Sequence, residues 1–245
     1  MEKNVKLLLA YDGTDYHGWQ MQENAVTVQE CVTKAAEKIF AQKISVNGCS
    51  RTDSGVHANE FCCNFRFDGD RAEEKIILGM NSQLPDDIRV FGCEYADIDF
   101  HARFDCKGKE YIYKVWNGKR GNPFMNRYSL FYPYELDAGL LDRQAKDFIG
   151  THDFAAFCAA GSIVKDTVRT IKDFSVKREG DLVIFSVTGD GFLYNMVRIM
   201  VGTLLYINNG KIEKDTIPDI ILSKDRIRAG ITVRPEGLYL NKVFY

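Results

Sequence analysis

No segment of this chain approaches the roughly 18 consecutive apolar residues that a membrane-spanning helix requires. The apolar run nearest its start, Leu7 to Tyr11, covers five residues and leads into Asp12-Gly13 rather than a small-residue cleavage site, so neither an anchor nor a secretory leader is expected. Cysteine is present seven times, an odd number, and never as Cys-x-x-Cys. A disulfide framework and zinc-ligand spacing are therefore not expected, and reduced thiols in a cytoplasmic protein are. The four histidines include His101 and His152, neither of which has a ligand partner at metal spacing. There is no G-x-S-x-G elbow, and Gly189-Asp190-Gly191 carries Tyr194 where a dinucleotide fingerprint needs its third glycine. These absences leave no segment expected to span a membrane and little for metal, nicotinamide or serine-hydrolase chemistry.

What is present is ordinary globular composition, 45% hydrophobic and 27% charged over 245 residues, enough for one large domain or two small ones. The net charge of −2 conceals an uneven distribution. Residues 1–100 carry 10 Lys+Arg against 17 Asp+Glu, and residues 101–245 carry 22 against 17. Arg103, Lys107, Lys109, Lys114, Lys119, Arg120 and Arg127 form a basic run opposed only by Asp105 and Glu110. Such a run is ordinarily a solvated face. Interleaved with Phe104, Tyr111, Tyr113, Trp116, Phe124 and Tyr128, it is also the pattern that binds nucleic acid, since phosphates meet cations while bases stack on rings.

Val28, Cys31, Val32, Ala35, Ala36, Ile39 and Phe40 recur at helical spacing, and Thr27 with Glu30 has the spacing of a capping box. A second stripe, Leu193, Met196, Val197, Met200, Val201, Leu204 and Leu205, predicts a helix ended by Asn208-Asn209-Gly210. Weaker helices fit 71–83 and 137–149, and a short one 217–222. Strands fit 5–11, 44–49, 61–67, 88–95, 109–117, 168–177, 181–188 and 238–244. Phe61, Cys63, Phe65 and Phe67 alternate onto one face, the mark of a half-buried strand. In order these elements make a split β-α-β-β-α-β unit twice over. The expected fold is α+β, with two tandem units, 1–104 and 105–245, whose mixed sheets flank a central cleft. A long loop, 118–135, interrupts the second unit and holds two of the five prolines.

The densest polar stretch is Cys49-Ser50-Arg51-Thr52-Asp53-Ser54-Gly55-Val56-His57, between two strands. On composition alone it reads as a polar turn in which Asp53 bonds nearby amides. Ser50, Asp53 and His57 are the residue types of a nucleophilic triad, although sequence neighbours rarely supply triad geometry. Arg198 borders the apolar stripe of its helix one turn from Tyr194, so it either reaches water or pairs with an acid, for which Asp53 is a candidate.

Taken together, Tyr11-Asp12-Gly13, Tyr16-His17-Gly18-Trp19-Gln20, Arg51-Thr52-Asp53-Ser54-Gly55-Val56-His57, Phe100-His101-Ala102-Arg103-Phe104, Lys109-Glu110-Tyr111-Ile112-Tyr113, Asn195-Met196-Val197-Arg198 and Glu236-Gly237-Leu238-Tyr239-Leu240 resemble the tRNA pseudouridine synthase A family, in its order and over essentially the whole chain. The resemblance implies isomerisation of uridine to pseudouridine at positions 38–40 of the tRNA anticodon stem-loop, by a homodimer without cofactor or metal. It implies that Asp53 is the essential carboxylate, acting on the ribose, and that Arg198 is its counter-charge. Tyr111 would lie against the target uracil, and Arg51 would help extrude the nucleotide. The alternative is a catalytically silent tRNA-binding protein of the same fold. The chain departs from the family pattern at Ser50, where Gly is usual and the backbone turn less restricted, and at Ile199, where Asn is usual.

Overall fold

The computed structural model describes residues 1–161 and 164–245. Contacts divide the chain into two compact units, one of Met1–Lys107 with Tyr239–Tyr245, the other of Gly108–Leu238. No helix among the described residues is long and apolar enough to cross a membrane.

The first unit runs β1 (Glu2–Tyr11), α1 (Val28–Phe40), β2 (Asn47–Gly48), β3 (His57–Asp68), α2 (Glu73–Gln83) and β4 (Ile88–Ala96). The second runs β5 (Gly108–Trp116), β6 (Leu130–Phe131), α3 (Ala138–Ala145), β7 (Gly150–Asp153), β8 (Val168–Glu179), β9 (Leu182–Gly189), α4 (Met196–Asn208) and α5 (Ile217–Ser223). The chain ends in β10 (Leu238–Phe244), whose residues from Tyr239 onward belong to the first unit. The split β-α-β-β-α-β order holds in the first unit. The second follows it as far as α4, with β6, β7 and α5 added, while the strand that would close it, β10, lies from Tyr239 onward in the first unit; the class is α+β as expected.

In the first unit the strands lie in the order β4-β1-β3-β10, antiparallel except that β10 runs parallel to β3. α1 begins as its spacing predicts: the Thr27 hydroxyl accepts the Glu30 N–H, one half of a capping box. The other half is missing, because the Glu30 carboxylate pairs with Lys34 one turn on. The helix ends at Ala41, which is left-handed. Of the strand expected over 44–49, only Asn47–Gly48 pairs, antiparallel to β3.

β3 is buried on both faces rather than one. Phe61, Cys63, Phe65 and Phe67 form the expected apolar side, but Cys62 and Asn64 on the opposite side are buried as well. Asn64 explains the difference. Its amide donates to Asn4 Oδ1 (3.0 Å) and to the Phe100 carbonyl (3.1 Å), and accepts the Ala102 N–H (2.9 Å). Asn4 donates to the carbonyls of Asp97 and Phe100, both at 2.9 Å. Two buried amides thus tie the segment after β4 across the second face of the sheet, with their own polar groups satisfied. That segment delivers His101, Arg103 and Phe104 to the neighbourhood of the polar loop before β3.

The second unit has the strand order β5-β9-β8-β7, antiparallel throughout, with β6 parallel to the end of β5. β8 and β9 make a hairpin turning at Gly180, at φ 59°. Asn117 donates to the carbonyls of Tyr132 and Tyr134, so the returning limb of the long 118–135 loop is pinned to the sheet. α4 starts at Met196, three residues beyond the start of its apolar stripe, because Asn195 is left-handed at φ 60°. It is buried on nearly every side, Ile199 included.

Candidate active site

The polar loop between β2 and β3 does not support itself. It is laced to the segment that follows β1, and most of the lacing is main chain. The Thr52 carbonyl accepts the Trp19 N–H (3.2 Å), and the Tyr16 carbonyl accepts the Gly55 N–H (3.2 Å). The Ser54 hydroxyl also donates to the Tyr16 carbonyl, at 3.2 Å. Tyr11 Oη and Thr52 Oγ1 share a buried hydrogen bond of 2.9 Å. The turn itself closes through Val56 N–H to the Asp53 carbonyl (3.2 Å), with Gly55 at φ 77°. Asp53 stands half-buried at this turn, with Arg51 exposed two residues before it.

Two glycines make the lacing possible. A Cβ on Gly13 would lie 2.0 Å from the Val56 carbonyl oxygen, and one on Gly18 would lie 2.3 Å from that of Thr52. Gly18 is also left-handed, at φ 82°. Tyr16, between them, is anchored at its far end. Its hydroxyl donates to Asp87 Oδ1 (2.6 Å), while the Asp87 carbonyl accepts the Asp12 N–H (2.9 Å). Burial, and then the bond to Asp87, raise the Tyr16 phenol well above its ordinary value, so it stays a neutral donor.

His57 is buried, 2% exposed. Its Nδ1 lies 3.1 Å from the Gly13 amide nitrogen, and its ring stacks on Tyr239 at 4.7 Å. Asp12 Oδ1 lies 3.1 Å from the same nitrogen and accepts from the amide and hydroxyl of Thr14. The Ser50 hydroxyl donates to the Arg51 carbonyl, at 3.4 Å. Ser50 and His57 thus lie against main-chain groups of their own turn and of the segment laced to it, as residues of a polar turn do. Nor does Ser50 strain the loop: the non-glycine residues with left-handed φ, among those described, are Ala41, Asn195, Asp215 and Lys224.

In the second unit Tyr111 lies buried on β5, its ring edge-to-face with Phe192 at 5.1 Å. Tyr113, two residues along and on the same face, donates to the Arg234 carbonyl (2.7 Å). Burial pushes the Tyr113 phenol well up, and the Arg198 charge nearby partly opposes that. The Arg198 guanidinium thus stands close enough to Tyr113 for its charge to act on the phenol. It is held there by bonds to Asn195 Oδ1 (2.5 Å) and the Val233 carbonyl (2.7 Å). These bonds fix the direction of its fork. Asn195, left-handed at the helix start, accepts from Arg198 three residues on; it stands in the family-like segment Asn195–Arg198, but nothing in the sequence signalled this bond.

Each unit thus presents part of the expected set in a braced form: Asp53 and Arg51 on the laced loop of the first, Tyr111 and Arg198 on β5 and the first turn of α4 in the second. Residues 8–105 and 144–245 match the family model described as tRNA pseudouridine synthase. The tRNA pseudouridine synthase A of Clostridium acetobutylicum is 49% identical over 243 residues, which cover 99% of this chain and all of that one. The protein of that name from Acetivibrio thermocellus is 46% identical over the same coverage. The segments that build the laced loop and the braced arginine fall inside the matched ranges, and the chain belongs to the tRNA pseudouridine synthase A family.

Proposed function

We propose that the chain is an isomerase that converts uridine to pseudouridine in tRNA, at positions 38–40 of the anticodon stem-loop. The observation that carries this reading is the laced loop, which holds a half-buried carboxylate, Asp53, on a rigid main-chain frame beside an exposed arginine. The reaction breaks the C1′–N1 glycosidic bond, turns the uracil and joins its C5 to C1′. The C5 hydrogen leaves as a proton and N1 ends protonated, so the product has the composition of the substrate. No group is transferred and no electrons are exchanged with a cofactor.

In this reading Asp53 acts on the ribose, either by attacking C1′ or by removing the C2′ proton. A carboxylate suits both, because the sugar develops oxocarbenium-like positive charge as the base departs. Arg198 supplies the counter-charge that keeps Asp53 ionised. Tyr111 lies against the uracil and is placed to handle the C5 proton. Arg51 helps take the nucleotide out of its stack, since a stacked base cannot be turned in place. The first 104 residues form the part that carries the carboxylate, and residues 105–245 the more basic part. The working enzyme is a cytoplasmic homodimer, which light scattering of the purified protein would test.

The test is tritium release from tRNA labelled at uracil C5, because bond formation at C5 must expel that hydrogen. Release is expected from the native chain and none from Asp53→Asn, with tRNA affinity of the variant within a few-fold of native. An active Asn variant would defeat the mechanism. A native chain that binds unmodified tRNA and releases nothing would instead be a silent tRNA-binding protein.

A further inference from the structure

Beside the laced loop the first unit contains a cavity of about 180 Å³ whose lining includes Gln20, Asn47, Arg51, His101, Arg103 and Phe104. Phe104 is 76% exposed, costly for an aromatic ring unless something covers it. It is not a loose side chain. The 101–105 turn closes on itself through Phe104 N–H and Asp105 N–H to the His101 carbonyl (both 3.1 Å) and His101 N–H to the Asp105 carboxylate (2.8 Å). Asn64 and Tyr245 hold Ala102 in place from below. His101 and Phe104 present two rings 4.3 Å apart, and the Arg103 guanidinium lies 6.0 Å from the Phe104 ring.

Four of the polar side chains around these rings, Gln20, Asn47, Arg51 and Arg103, make no hydrogen bond or ion pair among the described residues. Gln29, in the same wall, is the contrast: its amide is occupied at both ends, by the Val46 carbonyl and the Met21 N–H. Two exposed cations, a pre-positioned ring pair and two open amides are the donor set for a nucleotide: phosphate to arginine, base to ring, base edge to amide. The volume suits a single base, with its sugar and phosphates left outside toward the exposed Arg51 and Arg103.

We propose that this cavity is a one-nucleotide subsite for RNA. It takes an unpaired base of the tRNA on the His101–Phe104 rings and reads its edge with Gln20 and Asn47, while Arg51 and Arg103 hold the flanking phosphates. The proposal rests on the tRNA reading above. The same Trp19 that lines the cavity bonds the Thr52 carbonyl, so the cavity wall is joined directly to the Asp53 loop. A base seated here is therefore a near neighbour of the target in the RNA chain, and its capture fixes the register of the target at Asp53.

The experiment measures affinity for an unmodified tRNA transcript over a range of salt concentrations, with tritium release followed alongside. Phe104→Leu is expected to weaken binding about ten-fold and Phe104→Tyr to stay within about two-fold of native, since stacking needs a ring of either kind. Arg103→Ala is expected to lower the slope of log affinity against log salt by about one, the loss of one phosphate contact. Both side chains are exposed, so the melting temperatures should match the native one. A native chain that binds tRNA in this Phe104-dependent way but releases no tritium would sink the isomerase reading and leave the subsite standing. Phe104→Leu and Arg103→Ala with native affinity and native salt slope would overturn the subsite. Uridine 5′-monophosphate at millimolar concentration is expected not to compete; competition that depends on Phe104 would overturn the RNA assignment in favour of a free nucleotide.

Discussion

Gly18→Ala tests the claim that the main chain between β1 and α1 fixes the geometry of Asp53. The added Cβ would lie 2.3 Å from the Thr52 carbonyl oxygen, nearer than carbon and oxygen can approach, and the obstructing atom is backbone. That carbonyl is the one bonded by the Trp19 N–H, so neither partner can move without breaking the lace. The Thr52–Asp53 peptide must retreat by roughly 1 Å, and a misplacement of that size at a reacting group costs about 100-fold in rate. The left-handed φ of 82° adds about 1–2 kcal/mol for any residue with a Cβ. Gly180→Ala separates the two effects, because Gly180 is left-handed at φ 59° with nothing within 4 Å of its Cβ. Both variants should melt several degrees below native, at roughly 2–4 °C per kcal/mol for a chain of this size. Only Gly18→Ala should lose turnover, read as single-turnover tritium release. Equal activity in the two variants would refute the role assigned to the lace.

Stability should fall as pH rises above about 9. Burial lifts the Cys62 thiol to about 11 and pushes Cys63 well up, so the native chain keeps protons that an unfolded thiol, titrating near 9, has released. Each retained proton costs roughly 1.4 kcal/mol per pH unit across that window, and denaturant melts that stay flat from pH 8 to 11 would contradict it. Tyr16→Phe removes the 2.6 Å bond to Asp87 and should cost about 1–2 kcal/mol, with a rate loss alongside because Tyr16 carries the carbonyl that holds Gly55. Thr27→Ala removes the cap of α1 and should cost about 1 kcal/mol while tritium release stays native, which a thermal melt and one rate measurement would check.

Local chemistry was readable in the residues and long-range pairing was not. The start of α1 follows from Thr27 and its periodic face, all within a dozen residues. Asn64 carries no such signal. It alternates like an outward-facing polar residue in β3 and is buried because Asn4, Phe100 and Ala102 converge on it from elsewhere in the chain. The helix after β9 shows both outcomes at once: its stripe is correct to Leu205, but Leu193 lies outside it because Asn195 turns left-handed to reach Arg198. β10 is legible as a strand, whereas its place beside β3, through Tyr239 and His57, depends on residues about 180 positions apart.

The same distinction explains how the chain accommodates its two departures from the family pattern. The loop of Asp53 is held mainly by carbonyls of Thr52, Tyr16 and Asp53 and amides of Trp19, Gly55 and Val56, groups that do not depend on the side chain except in proline, so the side chain at position 50 is not part of the frame. Ser50 enters at an ordinary φ and turns its hydroxyl to the next carbonyl, leaving the loop in place. Ile199 follows Arg198 on α4 but points into a core where it is fully buried, and an apolar side chain there adds packing without touching the bonds that aim the guanidinium. Positions 13 and 18 differ in kind, since there the frame's own atoms occupy the space a side chain would need. In a site built this way, tolerance follows what the main chain leaves open rather than distance from the carboxylate: Ser50 lies closer in sequence to Asp53 than Gly18 does, yet Gly18 is the position that cannot change.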